Sequence, residues 1–131
     1  MSTVTVAATQ MACSWDRDAN IARGEKLIRE AVGRGAQVIL LQELFETPYF
    51  CKDHIARHLE LAQPLEGHPA VEHFRSVARE LGVVLPISVF ERTNNAFYNS
   101  VVVVDADGAV LGHYRKSHIP ESPGYHEKFY F

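Results

Sequence analysis

Gln37-Val38-Ile39-Leu40-Leu41-Gln42-Glu43-Leu44-Phe45 is the stretch whose reading decides the fold. Four apolar residues in succession, 38–41, read as a strand buried on both faces. The run ends at Gln42-Glu43, and at Thr47-Pro48-Tyr49 proline stops regular pairing. A carboxylate at the end of a buried strand is unfavourable unless it is paired or working. In open α/β sheets, ligands bind at the carboxyl ends of the strands. Glu43 is therefore the first candidate for chemistry; the alternative is an acid that simply leaves the sheet into solvent.

Working outward, Thr3 to Gln10 is β-rich and makes a first strand. Asp16 or Asp18 can cap a helix, and Ile21, Gly24, Ile28, Ala31 and Val32 recur at helical spacing through Arg34, with Gly33 and Gly35 bracketing the stop. Strand, helix and strand with short joints form a βαβ unit, whose crossover is right-handed. Beyond Pro48 the chain is irregular, with a helical turn or two around 52–61. His68-Pro69 then opens a second helix that Gly82 stops. Val83 to Phe90 reads as a strand, with Pro86 where no ladder donor is needed. Phe97 to Val104 and Ala109 to Tyr114 flank the turn Asp105-Ala106-Asp107-Gly108 as an antiparallel hairpin.

A length of 131 residues fits one domain with a real apolar core, and a net charge of −3 without a basic stripe argues against nucleic acid as a partner. No apolar run approaches a membrane span, and Met1-Ser2-Thr3-Val4 lacks the features of a signal peptide. Cys13 and Cys51 are too few for a disulfide framework, which fits a reducing cytoplasm. Lys128-Phe129-Tyr130-Phe131 closes the chain on aromatics without a polar tail, so the expectation is a sequence that stops in mid-fold. Unpaired edges are then expected around Val83 to Val104.

Two more polar groups stand beside Glu43 as candidates. Lys116, in His113-Tyr114-Arg115-Lys116-Ser117-His118-Ile119-Pro120, follows a strand and can steady a developing oxyanion. An ordinary solvated lysine fits the same residues. Glu127 lies among aromatics in Gly124-Tyr125-His126-Glu127-Lys128-Phe129; the alternative there is a surface Glu-Lys pair worth little.

Ala8-Thr9-Gln10-Met11, Leu41-Gln42-Glu43-Leu44-Phe45 and Tyr114-Arg115-Lys116-Ser117-His118-Ile119-Pro120 together resemble the nitrilase superfamily of carbon–nitrogen hydrolases, over essentially the whole chain. Finer segments, Phe45 to Cys51, Asn94 to Ser100 and Gly124 to Phe131, resemble its carbamoyl-hydrolysing members. The resemblance implies an α/β, nitrilase-like α-β-β-α four-layer sandwich, of which 1–131 is the N-terminal part of a single domain. It also implies a Cys-Glu-Lys amidase. Glu43 matches the general base, Lys116 the lysine that stabilises the tetrahedral intermediate, and Glu127 a second glutamate that orients substrate or lysine. Tyr49 and Tyr125 match aromatic positions that bind substrate. The nucleophilic cysteine of the family lies on a later strand, so Cys13 and Cys51 are structural or incidental, and 1–131 alone is expected to be inactive.

The implied partner is a small carbamoyl amine, with no cofactor, no metal, no nucleic acid and no membrane, and with assembly into a homo-oligomer. Three competing readings remain. His54 and His58, four apart, could share a helix face as metal ligands, but no HExxH pattern or third ligand accompanies them. A nucleotide-binding module would want a GxGxxG or P-loop, and neither is present. A non-catalytic relative that only binds is compatible with the fold, against the joint presence of Glu43, Lys116 and Glu127.

Overall fold

The computed structural model describes residues 3–131. Strand β1 (Val6–Ala8) pairs in parallel with β2 (Val38–Leu40), Val6 opposite Val38 and Ala8 opposite Leu40. Between them runs helix α1 (Arg17–Gly33). Asp16 caps it by accepting the Ala19 N–H at 3.0 Å. Gly35, at φ 87°, ends it by donating to the Val32 carbonyl at 2.8 Å, a left-handed turn for which glycine is suited. The expected βαβ unit is present, with both strands shorter than the sequence pattern implied.

Val84 continues the sheet, since its N–H donates to the Gln37 carbonyl at 2.9 Å while Ile39 donates to the Val84 carbonyl at 3.1 Å. From there β3 (Leu85–Thr93), β4 (Ala96–Val104) and β5 (Val110–Arg115) form an antiparallel meander. Pro86 lies two residues beyond Val84, so its missing donor faces the β2 side, where the ladder has already ended. Helix α2 (Pro69–Leu81) starts on proline and stops at Gly82 with φ 66°, as its sequence predicts. The β4–β5 turn docks onto α2 through Arg75 Nε to the Gly108 carbonyl, 2.9 Å, and Arg79 Nε to the Asp107 carbonyl, 2.8 Å. A Cβ at Gly108 would lie 2.7 Å from the Arg75 carbonyl oxygen, so the close approach requires glycine.

Both helices cover one face of the sheet, and Ile28, Ile39, Phe74, Leu85 and Val104 form the fully buried centre between them. The β2 expectation needs correction here. Ile39 is buried, but Leu40 is 47% exposed, so the run is covered on one face only. An apolar run records that both sides suit burial; it does not record that both are covered within these residues. Of four sandwich layers, residues 3–131 form one helix layer and one sheet. The edge expectation also needs correction. β3 is flanked by β2 at Val84 and by Gln63, whose N–H donates to the Phe90 carbonyl at 3.0 Å, so the open strands are β1 and β5.

A second apolar cluster gathers Leu44, Phe50, Cys51, Ala62, Phe90 and Tyr130. Phe50 stacks on Phe90 at 5.0 Å and meets Tyr130 edge-on at 4.9 Å. The closing aromatics are therefore not uniformly open: Tyr130 is 2% exposed, whereas Phe129 is 42% exposed. Among the described residues no helix is long and apolar enough to cross a membrane.

Candidate active site

β2 and β5 run in the same direction, because β2 bridges in parallel to the start of β3 and two antiparallel steps then lead to β5. Their carboxyl ends therefore lie on one edge, and Glu43 and Lys116 follow those ends. The turn that projects Glu43 is held from several sides. Leu44 adopts φ 52°, a left-handed conformation unfavourable for a branched residue by about 1–3 kcal/mol. Its N–H is satisfied by the buried Ser88 hydroxyl at 2.9 Å. Glu46 is anchored to α1 by Arg17 at 2.5 Å, and Asn20 donates to the Glu46 carbonyl at 2.9 Å.

Ser88, Asn99 and Val101 share the sheet face away from the helices, as the alternation along β3 and β4 requires. On that face Asn99 serves both ends of the site. Its side-chain amide donates to Glu43 Oε1 at 2.5 Å, and its carbonyl accepts the Lys116 N–H at 2.8 Å. Lys116 Nζ in turn lies 3.2 Å from Glu43 Oε1 and 2.8 Å from Glu127 Oε2. Glu127, only 3% exposed, accepts the Tyr49 hydroxyl on its other oxygen at 2.9 Å. The three predicted polar residues thus meet at one ammonium. Tyr49 belongs to the cluster, whereas Tyr125 stands outside it, 58% exposed with its ring 6.0 Å from that of Tyr49. A cavity of about 280 Å³ opens on this face, with Leu40, Glu43, Asn99, Val101, Tyr114 and Lys116 in its wall.

The electrostatics favour a fixed ammonium. Burial pushes the Lys116 pKa down, but the hydrogen bonds to Glu127 and Glu43 outweigh it and the net shift is upward. Burial and then the Glu127 carboxylate push the Tyr49 hydroxyl up, so it stays a donor. Cys51 is fully buried and its thiol is pushed up to about 12, first by burial and then by Glu127 and Glu43. Burial also raises the Cys13 thiol, partly offset by Arg23. Both shifts disfavour the thiolate, the form in which a cysteine acts as a nucleophile.

Sequence reasoning passed over Ser88 and Asn99 as individual residues, and over the pair Glu91–Arg115. Asn99 carried a readable signal, a polar residue inside an apolar strand. Ser88 and Glu91 depend on partners far along the chain. His58, offered above as a partner of His54, instead packs against Trp15 at 5.1 Å and Phe50 at 6.1 Å.

The carbon-nitrogen hydrolase family model matches residues 5–131. An N-carbamoylputrescine amidase of Solanum tuberosum is 55% identical over 128 residues, 98% of this chain and 43% of that protein. A citrullinase of Francisella tularensis is 40% identical, covering 100% of this chain and 46% of that protein. The crystal structure of a carbon-nitrogen hydrolase from Helicobacter pylori superposes with a TM-score of 0.88 at 32% identity, over 98% of this chain and 44% of the other. The chain thus spans less than half the length of the relatives it matches.

Proposed function

The chain belongs to the carbon-nitrogen hydrolase family, and from that premise we propose that residues 1–131 are the N-terminal part of a single amidase domain that hydrolyses N-carbamoylputrescine to putrescine, ammonia and carbon dioxide. The observation that carries the reading is the single ammonium of Lys116 shared by Glu43 and Glu127 at one end of the sheet. In this reading Glu43 takes the proton of a cysteine thiol supplied by sequence beyond these residues, and the thiolate attacks the carbamoyl carbon. Lys116 balances the charge that develops on the carbonyl oxygen. Ammonia leaves with the proton that Glu43 returns, and a water activated by Glu43 releases the carbamate, which falls apart to amine and carbon dioxide. One water is consumed overall.

Glu127 and Tyr49 act by holding Lys116 in place, and Tyr125 offers its ring beside the slim carbamoyl chain. The amidases of three other plants named for the same substrate, at 52–54% identity, support that substrate. The citrullinase, at 40%, supports citrulline as the second candidate. Residues 1–131 alone should release no ammonia, because neither Cys13 nor Cys51 stands at the later strand end where this reading places the nucleophile, and burial raises both thiols besides. The test is ammonia release by the full-length protein from N-carbamoylputrescine, citrulline and an aliphatic nitrile. Preference for carbamoylputrescine is the expected result. Turnover of the nitrile with none of either carbamoyl compound would overturn the reading.

A further inference from the structure

We propose that His54, Glu121 and His126 form a binding site for a divalent transition-metal ion of the zinc type, on the segment that leads into Glu127. One ligand atom from each residue lies within 4.8 Å of the other two. Tetrahedral zinc with bonds near 2.0–2.2 Å holds its ligands about 3.4 Å apart, so side-chain rotation closes the gap. Two short strands supply the frame. β6 (Glu121–Ser122) and β7 (Tyr125–His126) pair so that Glu121 stands directly opposite His126, with Nδ1 and Oε1 2.7 Å apart.

His54 is brought to this pair by an independent device. The Tyr130 hydroxyl donates to the Asp53 carbonyl at 2.6 Å and accepts the Ile55 N–H at 3.0 Å, clamping the backbone on both sides of His54. Tyr130 is itself 2% exposed, so the clamp is fixed in the apolar cluster beneath. The two imidazole rings consequently approach to 4.1 Å between centroids. A Glu121–His126 hydrogen bond needs no third member. Among the described residues the His54 ring makes no hydrogen bond, yet it is held where a metal would take its nitrogen.

Two imidazoles and one carboxylate select zinc, cobalt, nickel or copper over magnesium and calcium. Three protein ligands leave a coordination position for water. All three side chains are at least partly accessible, so an ion can enter. Sequence reading weighed His54 only with His58, because His126 is near it only in the fold.

The test is a calorimetric titration of the metal-free full-length protein with Zn²⁺, with Co²⁺ absorption as the site-specific readout. One equivalent should bind, and bound Co²⁺ should show ligand-field bands without a sulfur charge-transfer band. His54→Gln and His126→Gln should each weaken binding ~10-fold or more, while His113→Gln, at another exposed histidine, should not. Thermal melts of the variants confirm folding, and Glu121→Gln serves as a third probe should one variant fail to fold. Unchanged affinity in the folded variants, a sulfur charge-transfer band, or no binding would overturn the proposal. None of these outcomes depends on the carbamoyl substrate.

Discussion

Arg115 and Lys116 are consecutive at the end of β5, yet their side chains leave opposite faces of the sheet and meet different carboxylates. Arg115 shares its face with Ser100 and Glu91. Glu91 is 1% exposed and every lone-pair direction is taken: Arg115 donates to both oxygens at 2.5 and 3.0 Å, Ser100 at 2.5 Å and Thr93 at 2.8 Å. The guanidinium also lies 3.9 Å above the Tyr98 ring. Burial pushes the Glu91 carboxyl up, but these donors outweigh it and hold it at about 2. Lys116, on the other face, is one cation divided between two carboxylates, and Glu43 keeps a side chain 50% exposed with Oε2 free of partners among the described residues. A saturated acid has no capacity left for a substrate proton. An undersaturated one beside a cation and a cavity does, and this difference, rather than burial or charge alone, separates the structural pair from the proposed chemical one.

Apart from Glu43 itself, the largest effect expected on this comparison comes from Lys116→Ala. On the proposed reading it removes the charge that balances the oxyanion, and turnover of the full-length protein should fall about 10²–10³-fold in an ammonia-release assay. A loss confined to stability would instead make Lys116 a second Arg115. Next comes acid. The folded carboxyl of Glu91 sits at about 2 against 4.5 for the free group, so its stabilisation is complete above 4.5 and is lost as pH falls toward 2. A shift of that size corresponds to roughly 3 kcal/mol, readable as a lower urea midpoint at acid pH. Glu91→Gln should flatten that limb; an unchanged limb would mean that other acids carry it. Smallest is Tyr49→Phe, which removes a charge-assisted hydrogen bond to Glu127 and should lower stability by about 1.5 kcal/mol. A turnover loss as large as that of Lys116→Ala would instead place Tyr49 among the reacting groups.

How much of this was legible follows from the range of each signal. Helix limits at Asp16, Gly35, Pro69 and Gly82 are local chemistry, and the sequence pattern placed them. Glu43 at a strand end was equally local. That Leu40 faces outward was not, because a run of four apolar residues carries no record of which neighbours cover it. The meeting of Glu43 with Lys116 depends on strand direction, and bottom-up reading reached it only as far as two strand ends; resemblance joined them. Ser88 beneath Leu44 and the full coordination of Glu91 are long-range pairings with no local mark. Glu127 was legible as an acid among aromatics, with a surface Glu-Lys pair as the alternative; its burial and its hydrogen bond from Tyr49 belong to the fold.

The central claim is that Glu43 works and Glu91 supports, and one paired measurement tests it. Glu43→Gln and Glu91→Gln are made in the full-length protein, and each is assayed for ammonia release from N-carbamoylputrescine and for its melting temperature. The account predicts that Glu43→Gln loses about 10²–10⁴-fold in turnover with an unchanged melt, while Glu91→Gln melts earlier and keeps its turnover per folded molecule. A Glu43→Gln protein that turns over like the wild type would contradict it.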